Sequence, residues 1–231
     1  IEPLTYLPLT KGQKFILAGD HLQLPPTIIS KEAAQNGLGC SFFEKLIKKY
    51  PEASCLLNRQ YRMHQDILGF SSAYFYQNEL ISAVENLHEG VLFSDLSFWS
   101  TLKNAVFIDT AGADFDESWV ETRKSYINQG EARAVAKLIA ELIEGGAKPE
   151  SIGVIAPYRS QAEHIRDLLQ KNNVEVSTVD SFQGREKDCI IISLTRSNPD
   201  QKIGFLSEER RLNVAMTRAK YKLIILGDGA T

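Results

Sequence analysis

The sequence has little cysteine and little histidine, and neither falls into a metal-binding pattern. Its three cysteines, Cys40, Cys55 and Cys189, lie far apart with no C-x-x-C pair. That spacing excludes a zinc ribbon, a C-x-x-C redox centre and a dense disulfide framework. Cys55 precedes Leu56-Leu57 and Cys189 precedes Ile190-Ile191. Such apolar settings predict free thiols in a reducing, cytoplasmic compartment. The four histidines, His21, His64, His88 and His164, show no ligand spacing either, so no metal site is expected. No apolar run approaches the roughly 18 residues of a membrane helix, and no membrane partner is expected. The opening Ile1-Glu2-Pro3-Leu4 has no basic start and no apolar stretch after it, so it is not expected to be a signal peptide. It also has no Met, so the chain is expected to be a piece of a longer one. A basic excess is missing too: the net charge is -3. Charge is nevertheless uneven, with acid in Asp114-Phe115-Asp116-Glu117 and Glu121 and base in Arg210-Arg211, Arg218, Lys220 and Lys222. The asymmetry predicts one functional face.

What is present reads as a globular α/β protein. A length of 231 residues, 43% hydrophobic and 24% charged, fits one large domain or one domain plus part of a neighbour. Short apolar runs predict strands at Phe15-Ile16-Leu17, Val106 to Asp109, Ile152 to Ala156, Val174 to Thr178, Cys189 to Leu194 and Leu223 to Leu226. Apolar residues at helical spacing predict helices over Glu131 to Glu144 and over Ser160 to Lys171, the latter capped by Ser160. The alternation predicts a mainly parallel sheet flanked by helices, with chemistry at the carboxyl ends of its strands. Gly112 to Asn128 is polar and aperiodic and reads as a loop. A domain boundary is placed near Tyr50-Pro51, before a strand at Cys55.

Four segments combine residue types suited to phosphate chemistry. In Gly19-Asp20-His21-Leu22-Gln23-Leu24-Pro25-Pro26, a neutral amide sits in a loop stiffened by prolines. Gln23 there can bond a terminal phosphate oxygen or an attacking water without adding charge. In Gln60-Tyr61-Arg62-Met63-His64, Arg62 can neutralise a phosphoryl group and Tyr61 offers a ring face to a base. In Thr178-Val179-Asp180-Ser181-Phe182-Gln183-Gly184-Arg185-Glu186-Lys187-Asp188, hydroxyls and Gly184 suit phosphate, and Glu186 suits ribose hydroxyls. In Arg210 to Lys220, the apolar Leu212, Ala215, Met216 and Ala219 repeat at helical spacing. One helix is expected to carry Arg211 and Arg218 on a shared face, with Arg218 reaching a phosphate as an arginine finger does.

Together, and in this order, the segments resemble motifs III, IV, V and VI of superfamily 1B helicases. They are similar to the RNA helicases of nonsense-mediated decay and to the immunoglobulin-mu-binding helicases. The likeness runs from Ile1 to Asp228, and VDSFQGREKD and RRLNVAMTRAK carry most of it. It implies a RecA-like P-loop NTPase fold. Residues 1–50 would be the last part of a first RecA-like domain, and 51–231 the second. No G-x-x-x-x-G-K-[ST] loop and no Asp-Glu Walker B pair occurs. The resemblance therefore implies that ATP and Mg2+ are held largely by a first domain outside this sequence. Gln23 would sense the γ-phosphate, Arg62 and Arg218 would hold it, Tyr61 would lie beside adenine, Gly184 would border the nucleotide and Glu186 would bind ribose. Single-stranded DNA or RNA would contact Pro157, Tyr158, Ser160, Thr178, Asp180 and Ser181. The competing reading is a nucleic-acid-binding or regulatory scaffold that keeps the fold without turnover.

Overall fold

The computed structural model describes residues 2–83, 101–170 and 172–231. The chain forms two compact units, Ile1–Leu57 and Asn58–Thr231. In the first, helix α1 spans Glu2–Leu9 and helix α2 spans Phe42–Lys49. Ser41 Oγ caps α2 by accepting from Glu44 N at 3.1 Å, and Glu44 bonds Lys48 one turn on. The strand expected at 15–17 does not form: these residues have no regular structure, and Ile16 is 97% exposed. A strand needs a neighbour for its N–H and C=O groups, and the first unit contains no strand among the described residues. The strand expected at Cys55 is likewise irregular chain.

The second unit is built on five strands: β3 Ala105–Asp109, β6 Ile152–Ile155, β7 Glu175–Ser177, β8 Lys187–Ser193 and β9 Ala219–Gly227. Two short pairs precede or flank them, β1 Arg59–Gln60 with β2 Ile81–Ser82 and β4 Glu117–Val120 with β5 Ser125–Asn128. The five-stranded order is β3-β9-β8-β6-β7, and every neighbouring pair is parallel. Successive side chains of β8 leave on opposite faces. Cys189 and Ile191 join a core with helix α4 (Gln129–Glu144) and helix α5 (Arg159–Leu169). Ile190 and Ile192 are buried outside that core. Helices α3 (Gln65–Phe75) and α7 (Glu209–Met216) also pack against the sheet, and α6 (Val179–Phe182) packs against α7. The expected α/β architecture, a parallel sheet flanked by helices, is the one observed.

Three local expectations are corrected. Residues 112–128 are not a plain loop, since β4 and β5 pair antiparallel within them. Helix α5 begins one residue before Ser160, with Tyr158 at its cap position, and Ser160 Oγ is buried with no hydrogen-bond partner among the described residues. Helix α7 ends at Met216, so Arg218 is not helical and shares no helix face with Arg211. Strand β9 begins at Ala219, paired with Lys187, and its extended backbone forces the helix to stop. Thr217 Oγ1 and Arg218 Nε then donate to the last helical carbonyls, Asn213 O at 2.8 Å and Val214 O at 3.0 Å.

Candidate functional site

Strand β1 runs into the Gln60–His64 segment, which is closed by side chains rather than by a standard turn. Gln60 Oε1 accepts from Arg62 N at 2.9 Å and from Met63 N at 2.7 Å, while Gln60 Nε2 donates to Met63 O at 2.8 Å. His64 N donates to Lys220 O at 2.8 Å, which fastens the loop to the start of β9. His64 Nδ1 accepts from Asp66 N and caps α3. Gln60 carried no role in the sequence reading; its side chain is what shapes the turn bearing Arg62.

Arg62 is brought to the residues just before β8 and β9. Its Nε donates to Glu186 Oε2 at 2.5 Å, and its Nη1 donates to the backbone oxygen of Thr217 at 3.2 Å. Lys220 Nζ lies 3.1 Å from the other oxygen of Glu186. Burial pushes the Glu186 carboxyl up, but hydrogen bonds and charge from Lys220 and Arg62 outweigh it and hold the group below the usual carboxylate range. Arg218 is only 4% exposed. Its Nη2 donates to Thr217 Oγ1 at 3.1 Å, and it forms no carboxylate ion pair among the described residues. Burial first, and the Arg62 charge second, push the Arg218 guanidinium down to about 10, so it is still a cation at neutral pH. Thr217 thus serves both arginines, Arg62 through its carbonyl and Arg218 through its hydroxyl.

This cluster lies at the amino ends of β8 and β9, not at the carboxyl ends where chemistry was expected. Gly184, at φ +83°, makes the turn that leads into β8 with open space where a Cβ would stand. Tyr61 is 73% exposed, its ring free to be covered. Gln23 belongs to the first unit, where its Nε2 donates to Asp20 Oδ2 at 2.8 Å. The nucleic-acid candidates follow the carboxyl ends of β6 and β7. Asp180 and Ser181 are exposed and Pro157 and Thr178 half-buried. Tyr158 and Ser160 are buried, so neither presents a side-chain surface.

Two family models, each described as an AAA domain, match residues 1–31 and 38–230. The chain belongs to the AAA domain family. Over 98% of its length it is 42% identical to a Regulator of nonsense transcripts 1 homolog from Neurospora crassa, of which it covers 21%. Over its whole length it is 40% identical to the DNA polymerase alpha-associated DNA helicase A of Schizosaccharomyces pombe, covering 36% of it. It is 39% identical to the DNA-binding protein SMUBP-2 of Mesocricetus auratus, covering 24%. The chain therefore spans only about a fifth to a third of these relatives. The resemblance read from its motifs is borne out by them.

In this AAA domain the carboxyl edge also holds polar residues that the sequence reading missed. Gln161 Oε1 accepts from Asn128 N at 2.8 Å, and its Nε2 donates to Asn128 O and Ser193 Oγ. Ser193 Oγ and Thr195 N both donate to Glu131 Oε2, at 2.6 and 2.9 Å. Burial raises the Glu131 carboxyl to about 7 against those two bonds. Beside them Arg196 and Glu117 form a two-pronged ion pair, at 2.7 and 2.9 Å, with Arg196 5% exposed. These residues come from four stretches of sequence and follow no local spacing; nothing short of the fold brings them together.

Proposed function

We propose that this AAA domain is the C-terminal motor half of an ATP-dependent helicase acting on single-stranded DNA or RNA. In this reading it completes an ATP site shared with a first RecA-like domain of the same protein. The observation that carries the proposal is Arg218, a buried guanidinium with no ion-paired carboxylate among the described residues, set beside Arg62 before β8 and β9. A buried cation with no ion-paired carboxylate is costly, and an arriving phosphate would pair with it directly. Arg62 and Arg218 hold the terminal phosphate, Tyr61 covers the adenine, Gly184 borders the phosphates and Glu186 accepts from ribose. Gln23 senses the terminal phosphate once its amide turns from Asp20.

The cationic cluster fits the phosphate end of a nucleotide. The Mg2+ that accompanies ATP neutralises phosphate charge, and carboxylates of the first domain would hold it. Among the described residues no three His, Cys, Asp or Glu side chains are grouped to bind a metal. Residues 1–50 go with the first RecA-like domain. That assignment is supported by the first unit burying no apolar side chain among the described residues. No helix among the described residues is long and apolar enough to cross a membrane, and a cytoplasmic site of action is part of the proposal. The chain alone should hydrolyse ATP no faster than buffer in a steady-state phosphate-release assay. A longer protein that joins it to a phosphate-binding loop should turn over when single-stranded nucleic acid is added. Turnover by the chain alone would overturn the shared site.

A further inference from the structure

We propose that Phe205 is a stacking platform for one base of a single strand, with Arg211 taking the adjoining phosphate. The proposal rests on the helicase reading and names a contact that reading does not contain. Phe205 lies in the turn Gly204–Ser207 between β8 and α7 and is 58% exposed. An exposed phenyl ring is ordinarily free to move, but this one is held. Its backbone N–H donates to the Tyr158 hydroxyl at 3.2 Å, and its ring centroid lies 5.4 Å from that of Tyr158. Tyr158 is itself 4% exposed, and its hydroxyl accepts from Arg196 Nη1 at 3.1 Å. Arg196 is in turn fixed by both oxygens of Glu117.

Gly204 adds a steric argument. At φ +57° a Cβ there would stand 2.3 Å from Arg196 Nη1 and 2.4 Å from the Tyr158 hydroxyl. Only glycine lets the turn close down onto this network. A buried ion pair, a buried tyrosine hydroxyl and a glycine thus all bear on the turn that presents one apolar ring to solvent. Burial of Phe205 cannot be what rewards this, because most of the ring stays outside.

The surroundings say what covers it. The Arg211 guanidinium sits 5.6 Å from the Phe205 centroid and 3.7 Å from the Asp180 carboxylate, in the helix that follows Thr178. Pro157, Phe205 and Arg211 border one shallow apolar depression. An aromatic ring flanked by a guanidinium matches a base and its phosphate. Stacking of this kind tolerates any base, because every base has a π-face. The ring therefore stands beside Pro157 and Asp180, which the resemblance implies as contacts of a single strand.

The test titrates this chain with a fluorescein-labelled oligothymidylate and with an abasic oligonucleotide of equal length, each at two salt concentrations. Phe205→Ala should weaken oligothymidylate binding by roughly tenfold, the loss of one base stack. Phe205→Trp should restore it. On the abasic strand the wild type and Phe205→Ala should bind alike. The salt dependence on either strand should not change, because phosphate contacts are untouched. Equal oligothymidylate affinity for the wild type and Phe205→Ala would overturn the platform while leaving the helicase reading intact. Equal loss on the abasic strand would overturn it in favour of a structural role. No salt-sensitive binding of either strand would remove the nucleic-acid reading and this proposal with it.

Discussion

Arg218 shows how the fold can place a residue differently from its spacing in the sequence. Its motif singled it out, but helical spacing put it on one helix face with Arg211. In the structure it follows the helix, is 4% exposed and donates back to Val214 O and Thr217 Oγ1. The consequence for stability changes its reason. Truncation to alanine removes those two bonds and the packing of the side chain, which is destabilising. It also removes a buried cation whose charge is disfavoured by burial and by Arg62. The drop from 12.5 to about 10 corresponds to on the order of 3 kcal/mol. The two effects oppose each other. Arg218→Ala in the longer protein is expected to cost about a thousandfold in ATP hydrolysis, as loss of an arginine finger does. Its melting temperature should move by only a few degrees. Steady-state ATPase and a thermal melt of the same preparation check both halves. Hydrolysis near the wild-type rate would return Arg218 to a purely structural role.

At the scale of elements, the legible parts were those whose order is set by their own periodicity. Strand β8 is a continuous apolar run because both its faces are covered, and α4 carries a regular apolar stripe. The β4–β5 pair was illegible because distant residues hold it. Glu117 takes Arg196, Asn128 takes Gln161, and the turn between the strands uses Lys124 at φ +46° instead of a glycine. The end of α7 was hidden for a similar reason: no Gly or Pro marks it, and Thr217 and Arg218 cap it with side chains. The site was legible as residue types but not as an edge, because which strand ends converge depends on sheet order. The hairpin yields a prediction at its own scale. Glu117→Ala strands the buried Arg196 guanidinium, which also lies 4.2 Å from the Tyr126 ring centroid. Loss of one partner of a buried pair costs about 3–5 kcal/mol. Urea unfolding should show a loss of that size, and a loss under about 1 kcal/mol would mean the pair behaves as an exposed one.

For the whole molecule, the two edges of the sheet carry opposite electrostatic problems. Among the described residues, the amino edge keeps a buried cation with no ion-paired carboxylate, and the carboxyl edge keeps a buried carboxyl with no ion-paired cation. Glu131 joins the first turn of α4 to the end of β8, so its titration bears on the stability of the entire sheet. The sign follows from the direction of its shift. Burial raises Glu131 from 4.5 to about 7, so the folded state holds a proton that the unfolded chain has released within that window. Stability from this group is fully present below about 4.5 and is lost as pH rises through about 7. The loss amounts at most to on the order of 3 kcal/mol. Other carboxylates act in a separate window. Asp109 is held low by backbone N–H donors at Ala111 and Gly229, and Asp228 by the N–H of Ala230 and the hydroxyl of Ser197. Their contribution is present at neutral pH and disappears only as pH falls below the ordinary aspartate range. Urea unfolding at pH 5, 6, 7 and 8 should therefore show stability declining toward pH 8. Glu131→Gln should flatten that decline. Its amide oxygen can accept from Ser193 Oγ and Thr195 N as Oε2 does, while its NH2 replaces the oxygen that has no partner among the described residues. A decline that persists unchanged in Glu131→Gln would show that some other group supplies it, and the carboxyl edge would then be ionised and stable as it stands.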